Sequence, residues 1–258
     1  MRRLGCSFAA IAFLALARSA GATPLVVNGS FEDPFTTGTT FVYTTGLSKT
    51  IDIPGWTTTS DLTALINTPV NTYLLWSSTP SPDGGNFLAT DGSFGIGTLT
   101  QTLHGLHPGH AYTLSFYQAA GQLNGNIGAT QEQWDVTIGG SLVSSSSVVL
   151  PDASIYPGSV DVVSGYDDTW TTPLMSTPSA GFTPWQHESY SFVANASDEL
   201  LGFLGLGAPQ GVPPMVLLDG VSVDPATKSA PEPATFALLA VGIAGVLLAR
   251  AKRRASAE

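Results

Sequence analysis

Three stretches in the middle of the chain alternate strictly. Leu99, Gln101 and Leu103 interleave with Thr98, Thr100 and Thr102. Tyr112, Leu114 and Phe116 interleave with Thr113, Ser115 and Tyr117, and Trp134, Val136 and Ile138 repeat the pattern before Gly139-Gly140. A period of two with one apolar face is the mark of a half-buried antiparallel strand. Outside the two termini no segment keeps a 3.6-residue apolar period for three turns. Short β-branched or aromatic runs, broken by Gly, Pro, Ser and Thr, extend from Thr23 to Lys228, which predicts an all-β body folded as one β-sandwich. Leu25-Val26-Val27 opens it as a strand. Ile51 to Trp56 reads as a strand ending at a proline turn, Asn71 to Trp76 as a short strand, and Ser81 to Gly85 as a tight turn. Pro151 to Pro184 reads as an irregular, aromatic-bearing excursion, a loop long enough to be functional.

The termini are of another kind. Residues 1–22 have the form of a secretory signal helix: Arg2 and Arg3, the apolar run Leu4 to Ala17, then small residues that allow cleavage after Ala20 or Ala22. Cys6 precedes the apolar run, which argues against a lipoprotein anchor. It is the one cysteine of the chain, so an exported body must be held together without disulfides. At the other end, residues 227–230 form a linker to a segment spanning 231–258. Pro231-Glu232-Pro233 is extended and cannot join a following helix. The uncharged run from Ala234 to Ala249 is a little short of the roughly 20 residues that span a bilayer core, and predicts a transmembrane helix over 234–250. Arg250, Lys252, Arg253 and Arg254 then hold its end at the cytoplasmic face.

The order of tripeptide, helix and basic tail resembles the PEP-CTERM sorting signal of Gram-negative bacteria. The resemblance implies an exported protein, anchored in the inner membrane as a precursor. It further implies processing by an exosortase-type membrane protein and delivery to the cell envelope or the extracellular matrix of an exopolysaccharide producer.

Charge narrows the partners. Only Lys49 and Lys228 of the nine basic residues fall in the body 23–228, against all of the 19 carboxylates except Glu232 and Glu258. So acidic a surface repels nucleic acid and anionic headgroups and attracts divalent cations.

Asn28-Gly29-Ser30-Phe31-Glu32 opens the body (23–226), and Leu217 to Val223 closes it. Ile53-Pro54-Gly55-Trp56 and Leu106 to Leu114 lie between. This order resembles the galactose-binding-like jelly rolls found in many carbohydrate-binding modules. The resemblance implies a jelly-roll sandwich whose first and last strands lie together and hold one structural Ca²⁺. Glu32 and Asp219 are the residues carried over as its ligands, and hard oxygen donors suit that ion.

Chemistry for catalysis is sparse. His104, His107 and His110 are spaced by three, but Pro108-Gly109 forces a turn among them, so they do not share a helical face. Gly92-Ser93-Phe94-Gly95 lacks the flanking residue of a nucleophile elbow. Aromatic residues are the better lead, because sugar rings stack their C–H faces on flat side chains. Tyr117, opposite the core face of its strand and followed by Gln118, Gln122 and Asn124, is the preferred platform. Trp170 and Trp76 are further candidates, while Trp56 and Trp134 belong in the core. The expectation is a non-catalytic exported protein that binds glycan or builds a biofilm matrix of extracellular polysaccharide. A purely structural surface protein and a glycan-active enzyme stand as alternatives.

Overall fold

The computed structural model describes residues 23–34, 39–42, 52–67 and 74–226. The signal segment, the linker 227–230, the PEP tripeptide, the 234–250 span and the basic tail lie outside the described residues. Within them the chain is all-β, with twelve strands and no helix.

The strands are β1 (Thr39–Val42), β2 (Thr57–Thr58), β3 (Thr63–Asn67), β4 (Asn86–Asp91), β5 (Thr98–His104) and β6 (Ala111–Gln122). They continue with β7 (Thr130–Val149), β8 (Ile155–Thr171), β9 (Met175–Thr177), β10 (Phe182–Val193), β11 (Asp198–Ala208) and β12 (Pro214–Pro225). Two antiparallel sheets, ordered β1-β3-β4-β12-β6-β10 and β2-β5-β11-β7-β8 with β9 beside β7, face each other. From β4 onward the chain crosses repeatedly between them, as a jelly-roll sandwich requires.

The alternating segments become β5, β6 and the first half of β7. Their apolar faces meet between the sheets, where Leu103, Leu114, Phe116, Trp134, Val136 and Phe203 are buried. Phe203 lies edge-on to Phe116 at 5.1 Å and to Trp134 at 5.9 Å, the geometry the aromatic quadrupole favours. Trp56 and Trp134 are both core residues, as expected.

Three local expectations are corrected. Residues 25–27 do not form a strand. The Gln101 carboxamide stands in for a neighbouring strand instead, accepting from Val27 N at 2.6 Å and donating to Val27 O at 2.8 Å. Residues 52–56 form a turn, closed by Trp56 N donating to Ile53 O, and β2 begins only after it. Of 71–76 the described part, 74–76, makes a single bridge between Leu75 and Leu123.

The largest correction concerns 151–184, which is ordered sheet. Gly139 and Gly140, with φ of 83° and 74°, do not end β7 but bulge it. The strand continues to Val149, pairs with β8, and the distal half of this hairpin folds back over the outer face of the second sheet. There Val160, Leu204 and Leu206 are buried together. Glycine is required at the bend, since a Cβ on Gly140 would lie 2.4 Å from Ser164 O.

Candidate functional site

A turn built around Asn28 sets one side of the site. Its side chain accepts from Asp33 N at 3.0 Å and donates to Asp33 O at 2.6 Å, and its carbonyl accepts from Trp56 Nε1 at 3.1 Å. Phe31 is thereby turned into the core, with φ of 54°, and Glu32 points the other way. Glu32 Oε1 accepts from Asn86 N at 2.5 Å. It lies so close to the backbone of the preceding turn that a Cβ on Gly85 would be 1.9 Å from it.

The last strand supplies the other side. Val221 N donates to Gly29 O at 2.9 Å, so the first segment and β12 lie together. Between Asp219 and Ser222 the register of β12 against β6 shifts, with Gly220 at φ 58°. A side chain there would meet Tyr117 Cδ2 at 2.9 Å and Asp83 Cβ at 3.3 Å. The bulge therefore lets the Tyr117 ring and the 81–85 turn close on the strand from opposite sides.

Asp219 is fully buried, and neither of its carboxylate oxygens meets a donor in hydrogen-bonding geometry. Burial pushes its pKa up to about 8. The Ser81 hydroxyl and the Gly220 amide are near enough to pull it back in part, while the charges of Asp83 and Glu32 push it further up. A buried carboxylate whose nearby donors are out of hydrogen-bonding geometry, beside two more acids, is a poor arrangement for the protein alone and a suitable one for a hard cation. Among the described residues no three His, Cys, Asp or Glu side chains close into a metal-holding group. The charge of Glu32 reaches Asp219, and these two carboxylates are the ones that would hold a hard cation such as Ca²⁺.

Tyr117 sits at the centre of this face. Across β6 it pairs with Asp219 on one side and His187 on the other, all three on the outer face of the first sheet. The His187 imidazole, exposed on edge strand β10, lies edge-on to the Tyr117 ring at 5.1 Å. The rest of the face is covered: Leu74 and Leu75 pack on Phe87, Ala119 and Leu217. Trp185 caps that cluster, donating to Thr79 O.

The other two candidate platforms lie elsewhere. Trp76 is 37 % exposed, and its backbone amide donates to Gln122 O at the far end of β6. Trp170 on β8 stacks on Tyr190 of β10, centroids 5.2 Å apart, at the rim where the two sheets' edges meet. Of the sequence candidates the structure thus gathers Tyr117, Glu32 and Asp219. It adds Asp83, Ser81 and His187, which the sequence shows only as a turn and an isolated strand histidine. The histidines of the 104–110 turn part company: His104 Nδ1 lies 3.2 Å from Asp198 on the surface, and the His107 and His110 rings are tilted against each other at 5.5 Å.

Residues 229–254 match the protein-family description "PEP-CTERM protein-sorting motif". The chain ends in a PEP-CTERM sorting signal. That tail marks an exported protein, held at the membrane before exosortase processing. No curated protein matches the chain.

Several solved structures are weakly similar to the chain. The carbohydrate-binding module TmCBM61, solved with beta-1,4-galactotriose, has a TM-score of 0.42 and 9 % identity over 79 % of this chain and 99 % of its own. A cyclase from Fischerella sp. has 0.42 and 16 % over 79 % and 96 %. The CBM22-1 xylan-binding domain from Paenibacillus barcinonensis Xyn10C has 0.33 and 13 % over 78 % and 94 %. Likenesses this weak assign neither ligand nor activity to the PEP-CTERM protein.

Proposed function

We propose that the protein is a non-catalytic, exported glycan-binding module. In this reading its PEP-CTERM tail delivers it to the cell envelope or extracellular matrix of an exopolysaccharide-producing Gram-negative bacterium. The observation that carries the glycan reading is the row Asp219–Tyr117–His187 on the outer face of the first sheet. The Tyr117 ring there lies beside the exposed His187 imidazole, which can donate to or accept from a sugar hydroxyl. One structural Ca²⁺ at Glu32 and Asp219 fixes the β12 bulge on which that ring rests. The acidic body repels anionic chains, so the ligand is a neutral polysaccharide, or an acidic one bridged by cations.

Affinity electrophoresis through gels containing the host's exopolysaccharide tests this. Tyr117→Ala is expected to weaken retention about tenfold or more, a loss of roughly 1.4 kcal/mol. The melting temperature should stay nearly unchanged, because the ring is not part of the core. Retention equal to wild type would remove Tyr117 from the site. No retention of the wild type itself would remove the glycan reading and favour a purely structural role.

A further inference from the structure

The folded-back half of the β7–β8 hairpin leaves a cavity beneath it. Thr98 Oγ1, on the outer face of the second sheet, donates to Asp161 O of the flap, and Tyr156 Oη accepts from Gly95 N at 3.1 Å. These contacts fasten the flap to the sheet at two places. Between them lies a space of about 270 Å³. Asp135 and Thr137 of β7 line its floor, Ser147 and Tyr166 of the hairpin line its roof, and Val162 and Leu204 give it apolar patches.

The lining is chemically specific. Hydroxyls from Thr137, Ser147 and Tyr166 each donate and accept, and the Asp135 carboxylate offers about four acceptor sites. One of these takes Thr171 Oγ1 at 2.7 Å. No basic side chain is among the described lining residues, and the surrounding body is strongly acidic. The ligand therefore presents many hydroxyls, carries no negative charge, and has C–H faces for Val162 and Leu204. Its size is limited as well: the space falls just below the roughly 300–1,000 Å³ of sites for drug-sized ligands. That leaves room for one ring and not for a run of them. The Tyr166 side chain, 46 % exposed, stands at the solvent side.

We propose that the cavity under the β7–β8 flap binds a single neutral sugar ring, as a chain end would present it. It is a second site, on the opposite sheet from Tyr117, and does not depend on the reading of that face.

Saturation-transfer NMR on the full chain, held in a detergent without a sugar headgroup, tests the proposal with free glucose, galactose, mannose and glucuronic acid. At least one neutral hexose is expected to bind with a dissociation constant on the order of 1 mM. Thr137→Val keeps shape and strand preference but removes a hydroxyl, and Asp135→Ala removes the carboxylate. Made in a Tyr117→Ala background, which removes the platform on the other sheet, each should weaken binding about tenfold. Absence of binding by every neutral hexose would overturn the proposal. Binding that survives both cavity variants in the Tyr117→Ala background would overturn the placement. Equal binding of glucuronic acid would overturn the requirement for a neutral ligand.

Discussion

Chelation with EDTA is expected to lower the melting temperature of the wild-type protein and to leave that of Asp219→Asn unchanged. An ion that binds only the folded state stabilises it by RT ln(1 + [L]/Kd), about 2.7 kcal/mol at a hundredfold excess over Kd. The effect carries a pH signature. Without the ion, Asp219 keeps a pKa of about 8 in the folded protein, above its ordinary carboxylate value. A raised folded-state pKa contributes stability that is complete below the unfolded pKa and is lost as pH rises through the folded one. In EDTA the wild type should therefore weaken steadily from about pH 4 to pH 8 and level off above it. With calcium the carboxylate is needed ionised, so the gap between the two conditions widens over the same range. Asp219→Asn, with no charge to bury, should be the more stable chain in EDTA at high pH. A melting temperature indifferent to EDTA at every pH would leave the site without its ion. A difference that persists in Asp219→Asn would put the ion elsewhere.

Glu132→Gln should stabilise the protein at pH 8 and leave it unchanged at pH 4. Glu132 is fully buried among the core residues of β7. Its Oε2 accepts from Thr177 Oγ1 at 2.8 Å, and its Oε1 has no partner. Burial pushes its pKa up to about 7, against the lowering influence of Thr130 and Thr177. Its contribution is thus intact below the ordinary glutamate range and is lost as pH rises through about 7. Ionisation inside the core should cost about 3 kcal/mol. Glutamine removes that titration without changing shape. Its carbonyl can accept from Thr177, and its amide can donate to Thr130 Oγ1, a buried oxygen otherwise without a partner. Urea unfolding at the two pH values measures the difference. A Glu132→Gln variant no more stable than wild type at pH 8 would show that burial does not raise the pKa of this carboxyl in the fold.

Legibility in the sequence followed the period of the side chains. The strands β5, β6 and the first half of β7 could be read directly, because a buried face opposite a polar one leaves a period of two. The flap could not. Its residues 141–149 put serines and valines on both faces of a two-stranded ribbon, and Gly139-Gly140 has the composition of a turn although it is a bulge within a strand. The first segment failed for a different reason: Leu25-Val26-Val27 has strand composition, but a side chain, Gln101, takes the place of a partner strand. Glu32 and Asp219 were reached through resemblance to a family and Tyr117 through alternation. That they lie at one place follows from the β12 register and the Gly220 bulge, which no local pattern encodes. Asp83 was visible only as a turn residue. Its role depends on how close that turn comes to Gly220.

Fractionation of cells expressing wild type and Glu232→Ala tests the sorting role of the tail. The substitution leaves the apolar run and the basic residues Arg250, Lys252, Arg253 and Arg254 intact. Insertion in the membrane is therefore unchanged, because moving those charges across the bilayer remains unfavourable by several kcal/mol. What changes is the Pro231-Glu232-Pro233 tripeptide within the matched motif. Wild type is expected to be processed and to leave the inner membrane, while Glu232→Ala accumulates there as uncleaved precursor. Identical maturation and location of the two chains would contradict that role and reduce the tail to a plain membrane anchor.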